Sequence, residues 1–475
     1  MMKNTWKRTL AGLSVLTMVL SAFTSCSDNS TSSTSKSSKV SSSAVTEEST
    51  ENTESTTASK KKSSSALEAE STSHKTNASG VIDTTDMFSD RDMSQSADTS
   101  EAKELSVSDG KTIEITEAGV YTVSGSAKNC TIKIDADKEA KVQLVLDGVT
   151  VENENFPVIY AVSADKVFVT STGAENKLSV TESFTADGDT NTDAVIFSKD
   201  DLVLNGTGSV TVYSPYGNGI SCKDDLKITG GTYDITSAKD AFEANDSIAI
   251  CGGDFIIKTQ KDGFHCENDE DNTLGSIYIS GGTFDITAGS DGIQGTTYVQ
   301  IDGGTYSIEA SEGIEATYVQ INGGEITINA SDDGINATSK STACDIVVEF
   351  NGGYTTITMG QGDTDGVDTN GSIYVNGGTI DITAQMSSFD YDAAAEFNGG
   401  TIIVNGEEVS EIPQSMMGGH GGMGGFGGQG GFGGGMGTPP DGEFSGGMGT
   451  PPDGEFGGGR GNHGRMNKTS EQSGI

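Results

Sequence analysis

The stretches Ile248-Ala-Ile-Cys-Gly-Gly-Asp-Phe-Ile-Ile257 and Val299-Gln-Ile-Asp-Gly-Gly-Thr-Tyr-Ser-Ile308 carry one pattern. Measured from the first glycine, apolar residues fall at −4, −2, +3 and +5. That is a period of two on both sides of a Gly-Gly corner, the mark of two short strands with one buried face. Helical periodicity is absent. Glycine suits the corner because it accepts positive φ. The pairs recur at Gly230, Gly252, Gly281, Gly303, Gly323, Gly352, Gly377 and Gly399, with divergent copies at Asn205-Gly206-Thr207-Gly208 and Leu144-Val-Leu-Asp-Gly148. A unit that exposes one apolar face cannot fold alone, and stacking its copies buries that face.

The predicted fold is therefore all-β, a right-handed single-stranded parallel β-helix of about ten to twelve coils, with like residues stacked in columns. Tyr233, Phe255, Phe284 and Tyr306 make one inward aromatic file. A propeller or sandwich would need regular hairpin signals, and the sequence lacks them.

Composition divides the 475 residues into four parts. Residues 1–26 read as a secretory signal: Lys3, Lys7 and Arg8 precede an apolar run from Leu10 to Phe23. Cys26 is either the lipid-modified residue of a lipoprotein signal or a free cysteine near ordinary cleavage. Residues 27–100 are Ser/Thr-rich with few apolar side chains, the composition of a disordered stalk. The β-helix spans 101–412. Residues 413–475 form a Gly/Met/Phe-rich tail that repeats Gly-Thr-Pro-Pro-Asp-Gly-Glu-Phe at Gly437–Phe444 and Gly449–Phe456. The expectation is an extracellular, surface-displayed monomer that meets membrane only through a lipid anchor.

The net charge of −41 excludes a generic nucleic-acid binder, which needs a basic face. Residues 101–412 hold no arginine, and beyond Lys261 their only lysine is Lys340. Beyond Cys26, the odd set Cys130, Cys222, Cys251, Cys266 and Cys344 makes a poor disulfide framework, so these read as small core residues.

About ten residues after each glycine pair comes a second motif: Asn218-Gly-Ile-Ser-Cys222, Asp240-Ala-Phe-Glu-Ala244, Asp262-Gly-Phe-His-Cys266, Asp291-Gly-Ile-Gln-Gly295, Glu312-Gly-Ile-Glu-Ala316, Asp333-Gly-Ile-Asn-Ala337 and Asp365-Gly-Val-Asp-Thr369. Its third and fifth residues are apolar or small and point inward. Its first and fourth point outward, giving files of Asp240, Asp262, Asp291, Glu312, Asp333, Asp365 and of Glu243, His265, Gln294, Glu315, Asn336, Asp368. Glu267, Asp332 and Asp363 thicken them. Like charges stacked about 5 Å apart cost roughly 3 kcal/mol per pair at an effective dielectric near 20. Raised pKa values or bound cations relieve that cost. The donors are hard oxygens, which suit calcium and disfavour zinc or copper. The competing reading is a solvated acidic edge, and His265 reads as a surface residue as readily as a ligand.

With these residues in hand, the chain resembles a family of secreted bacterial β-helix proteins that bind carbohydrate, including cellulose and acidic sugars. That family is similar in fold to the family 9 pectate lyases. The resemblance rests on Glu117-Ala-Gly-Val-Tyr-Thr-Val-Ser-Gly125, Leu144-Val-Leu-Asp-Gly-Val149, Asp193-Ala-Val-Ile-Phe-Ser-Lys-Asp-Asp-Leu202, Gly219-Ile-Ser-Cys-Lys-Asp-Asp-Leu226 and the Gly-Gly coils. It implies calcium along the helix, held by acids that match Asp240, Asp262, Asp291 and their neighbours, and a polysaccharide along its side. Three functions follow: a calcium-dependent, non-catalytic polysaccharide binder, a calcium-assisted pectate lyase, or a surface scaffold. For a binder, Tyr298 with Tyr318 and Tyr278 with Tyr374 occupy equivalent outward positions. These are either sugar platforms or a cross-strand ladder. For a lyase, Lys239 and Lys261 are the available bases, or else simple partners of the neighbouring aspartates.

Overall fold

The computed structural model describes residues 80–362 and 364–414, so the signal, Cys26, most of the stalk, the tail and Asp363 lie outside the described residues. Among the described residues there is no helix, and the strands form one 24-stranded and one 12-stranded sheet.

Each repeat contributes three strands. Ser247–Ile250, Asp254–Thr259 and Phe264–Cys266 are followed by Ser276–Ile279, Thr283–Thr287 and Asp291–Gly295. Each strand pairs in parallel with its counterpart one repeat on: Ile248 with Ile277, Phe255 with Phe284, Phe264 with Ile293. This long parallel pairing is consistent with the expected β-helix. First and second strands make the large sheet, and third strands make the small one. The sequence pattern revealed the first two strands directly. The third is the Asp-Gly-Ile motif itself, whose inward third and fifth residues were the trace of a strand.

In the pair Gly352-Gly353 the glycines do different work. Gly353 has φ +79°, while a Cβ on Gly352 would stand 2.4 Å from the carbonyl oxygen of Asn322. Beside the later pairs runs a file of amides. Asn351 Nδ2 donates to Asn322 Oδ1 at 2.8 Å, Asn376 Nδ2 to Asn351 Oδ1 at 2.9 Å, and Asn398 Nδ2 to Asn376 Oδ1 at 3.0 Å. Stacked amides satisfy one another because each carries both donor and acceptor. Among the described residues one pair of strands is antiparallel, Thr401–Val404 with Glu407–Val409, which turns at Asn405-Gly406, both at positive φ. It is the hairpin that the sequence expectation omitted.

The expected aromatic file is present. Ring centroids stand 5.5 Å apart for Tyr233–Phe255, 4.7 Å for Phe255–Phe284 and 4.5 Å for Phe284–Tyr306. Phe242 and Phe264 of the third strands meet it edge-on. Cys130, Cys222 and Cys266 are buried, as expected. Cys251 and Cys344 are only half-buried and correct the reading of all five as core, because both lie outside the inward positions of a strand.

Residues 80–100, counted with the stalk by composition, lie instead against the outward side of the first strands. The Val81 N–H donates to Gln320 Oε1 and the Ile82 N–H to Gln300 Oε1. Lys227 Nζ donates to the Met87 carbonyl, Asn205 Nδ2 and Thr229 Oγ1 to that of Asp92. The Arg91 guanidinium sits 4.4 Å from the Phe168 ring centroid. Outward polar side chains satisfy a strap that has few apolar residues of its own.

Replacing Phe255 by Ala, which empties the middle of the stacked file, is expected to cost about 3–5 kcal/mol. Ile256→Thr, one residue away on the exposed face, is expected to stay within about 0.5 kcal/mol. Equilibrium denaturation of the two variants checks both values.

Candidate functional site

The first residue of each third-strand motif has the outward parity expected, yet Asp240, Asp262 and Asp291 are buried, not solvated. The reason is local. Asp240 and Asp262 turn along the stack and accept the backbone N–H of their successors, Asp240 Oδ1 from Asp262 and Asp262 Oδ1 from Asp291, as Asp333 Oδ1 does from Asp365, whereas the Glu312 N–H goes to the Ser290 carbonyl and not to Asp291. Asn218 Oδ1 begins the series by accepting the Asp240 N–H. One oxygen of Asp240, Asp262 and Asp333 is thus structural, and the other is left for side-chain partners.

The file divides into two parts. In the earlier part, Asp240, Asp262 and His265 bring ligand atoms within 4.8 Å of one another. Lys261 Nζ stands 3.0 Å from Asp240 Oδ2 and 3.5 Å from Asp262 Oδ2. His265 Nδ1 stands 3.3 Å from Asp240 Oδ2, and Nε2 3.2 Å from Glu267. Burial raises the Asp240 carboxyl, but His265 and Lys261 outweigh it and hold the group at about 2. Burial likewise lowers His265, and the Asp240 contact reverses that into a net rise. His265 is therefore a buried counter-ion, not a solvated residue. Glu243 leaves this group: it accepts from Asn218 Nδ2, Ser221 Oγ and Lys223 Nζ.

In the later part, Asp291, Glu312 and Glu315 again lie within 4.8 Å. One lysine serves them, Lys340, 2.7 Å from Glu315. Burial, with Asp262 and Glu312 adding to it, pushes Asp291 up to about 8. Burial and Asp368 push Asp333 to about 7 despite the Asp365 N–H, and burial with Asp365 and Asp390 pushes Asp368 to about 6. Asn336 Nδ2 donates to Glu312 Oε2, while its Oδ1 is buried without a hydrogen-bond partner. Asp365 pairs with Asp333 in register, and Asp332 lies exposed in the preceding turn. These donors, oxygens with excess negative charge and one unsatisfied amide carbonyl, fit a hard divalent cation.

Beside the later part runs a groove of about 420 Å³ across four repeats. Its floor is small, with Ala288, Gly289, Ala310, Ser311, Ala330 and Ser331. One lip is the second-strand column Thr287, Glu309, Asn329 and Thr358, and the chain runs on from the floor into Asp291, Glu312 and Asp333.

The tyrosines are not free platforms. Tyr278 and Tyr318 are 8% and 9% exposed, and their hydroxyls donate to Asp302 and Glu349. Tyr298 is half-buried against Tyr318, with centroids 6.0 Å apart, and Tyr374 is also half-buried. Parity was right for all four, but their neighbours leave little ring surface on Tyr278 and Tyr318 and only part of it on Tyr298 and Tyr374. Lys239 Nζ is 2.6 Å from Asp193 Oδ2. Lys261, lowered by burial, is raised overall by Asp240 and Asp262. A further acidic group, Asp201, Asp224 and Asp225, was missed. Burial and its two neighbours push Asp224 to about 6. Its trace was the repeated Lys-Asp-Asp-Leu at Lys199–Leu202 and Lys223–Leu226.

A family model described as carbohydrate-binding domain-containing protein matches residues 109–366. A protein of the same description from Acetivibrio thermocellus is 42% identical over 201 residues, 42% of this chain and 70% of that one. A solved structure described as the polysaccharide lyase-like protein from C. thermocellum, a gadolinium derivative, is 24% identical with a TM-score of 0.31. It covers 64% of this chain and 96% of its own.

The raised carboxyls give a pH dependence of definite sign. A group whose folded value exceeds its unfolded one contributes stability that is complete below the unfolded value and lost as pH rises through the folded one. For Asp368, Asp333 and Asp291 that window runs from the ordinary aspartate value of 3.8 to about 6, 7 and 8. Asp240 has the opposite sign and acts only below it. Metal-free protein kept in chelator is therefore expected to melt at progressively lower temperature as pH rises from about 5 to about 8. Scanning calorimetry at a series of pH values checks this.

Proposed function

This chain belongs to the family of carbohydrate-binding domain-containing proteins, and we propose that it is a calcium-dependent, non-catalytic binder of extracellular polysaccharide. In this reading a right-handed β-helix of about ten to twelve coils stands at the cell surface. It is exported by the amino-terminal signal and held off by the stalk, with Cys26 as lipid anchor. The glycan is a plant cell-wall chain, with acidic pectin-like sugars favoured over cellulose.

The observation that carries the reading is the group Asp291, Glu312 and Glu315 beside the groove, with one lysine to serve its three carboxylates. Calcium bound there supplies the positive charge that lets acidic protein and acidic sugar share one surface. Asp291 and Glu312 hold it, with Glu315 and Asn336 Oδ1 as further donors. The small floor residues admit a flat chain, and Thr287, Glu309, Asn329 and Thr358 offer hydrogen bonds along one lip. Asp333, Asp365 and Asp368 extend the same charge downstream, whereas the Asp240–Asp262 pair is already neutralised by Lys261 and His265.

Elimination would need a lysine able to give up its proton. Lys261 holds its proton more firmly than usual, and Lys239 is committed to Asp193. The geometry favours binding over lyase chemistry.

Calorimetric titration with polygalacturonate and with cellulose, each with calcium and with chelator, tests the proposal. Polygalacturonate is expected to bind in calcium. The Asp291→Asn/Glu312→Gln variant should lose at least about tenfold in calcium affinity, about 1.4 kcal/mol. Failure of both glycans to bind in either condition would sink the proposal.

A further inference from the structure

The outward sides of the first and second strands differ. Along the first strands, the positions of Lys227, Gln300 and Gln320 are covered by the strap. Along the second strands, the column Tyr213, Thr236, Lys258, Thr287, Glu309, Asn329 is in register and exposed throughout. From Thr287 onward this column is the groove lip.

Upstream of the groove the chemistry changes. Tyr213 and Tyr216 are 46% and 56% exposed. Neither hydroxyl has a hydrogen-bond partner among the described residues. Lys258, in the same column, makes no ion pair among them, whereas Lys223, Lys239 and Lys261 are each tied to a carboxylate. Tyr213 pairs with Thr236 and Thr236 with Lys258, so two strand spacings, about 10 Å, separate the backbone positions of Tyr213 and Lys258. That is the span of two pyranose rings in an extended chain. An exposed tyrosine face offers amphipathic contact to a sugar ring, and an unpaired ammonium offers a compact charge to a carboxylate.

We propose that Tyr213, Tyr216 and Lys258 form a calcium-independent anchoring subsite for a polyuronate chain, continuous with the calcium-bearing groove. The tyrosines stack on a sugar ring, and Lys258 takes the carboxylate of a unit about two rings on. This inference rests on the reading of the protein as a binder of acidic polysaccharide. It assigns the chain two modes of attachment: direct charge pairing upstream, and cation bridging from Asp291 onward. Because Lys258 is exposed, its contribution is screened by salt.

The test is calorimetry of the full chain with a galacturonate oligomer in chelator and in calcium. The wild type is expected to keep weak, salt-sensitive binding in chelator. Lys258→Met and Tyr213→Ala/Tyr216→Ala are expected to reduce it by about tenfold, 1.4 kcal/mol, and to leave calcium affinity unchanged. With the methyl-esterified oligomer, wild type and Lys258→Met should bind alike. Binding that appears only in calcium overturns the subsite and leaves the calcium reading standing, while no binding in either condition removes both. Unchanged chelator binding in the variants, or an equal Lys258→Met loss on the esterified oligomer, also overturns it.

Discussion

Stacking a repeat at one strand spacing places every side chain about 4.8 Å from its own kind, and the rest of the structure depends on that constraint. For apolar residues the consequence is favourable, since Phe255 meets Phe284 and Ile257 meets Ile286 without a change of shape. For amides it is also favourable, because Asn322, Asn351 and Asn376 can each give and accept. For carboxylates it is not, because two neighbours both accept and neither donates. A file of acids is the one column that the architecture cannot satisfy from within.

The protein meets that problem in two ways along one file. One oxygen of each turned carboxylate takes a backbone N–H, which favours the charged form. For Asp240 and Asp262 the second oxygen finds Lys261 and His265, so charge is balanced locally. From Asp291 onward no lysine but Lys340 remains in the folded part of the sequence. At an effective dielectric near 20 each close pair costs about 3 kcal/mol, and Lys340, half-buried and paired with Glu315, leaves Asp291 and Glu312 without an ion pair of their own among the described residues. The deficit is therefore local to the later repeats, and so is the groove beside them.

Much of this was legible in the sequence because period two is preserved so strictly. The Gly-Gly corners, the aromatic file and the acidic file all follow from alternation alone. Alternation says which side of a strand a residue occupies, but not what covers that side. Tyr278 and Tyr318 point outward, as their parity requires, and are nonetheless buried, with hydroxyls bonded to Asp302 and Glu349. The strap itself was read as stalk because its few apolar residues cannot make a core. It is held instead by side chains such as Gln300 and Gln320, which no local pattern links to Val81 and Ile82. The turn of Asp240, Asp262 and Asp333 onto their successors' N–H groups was likewise invisible, since it depends on the register between repeats.

The strap also determines which surface is left for a partner. By covering the first strands it leaves the second-strand columns as the open side of the large sheet. Along that side the groups change from one end to the other. Exposed Tyr213 and Tyr216 and Lys258, which makes no ion pair among the described residues, come first, with Asp234, Asp254 and Asp285 exposed on the same strands. Thr287 follows, and beyond the groove floor lie Asp291, Glu312 and Glu315 on the third strands, with one lysine to serve them. An acidic chain would meet an ammonium at the first end and carboxylates at the second, which a bound cation would offset. The uneven placement of lysines thus converts a uniform repeat into a surface with two distinguishable ends.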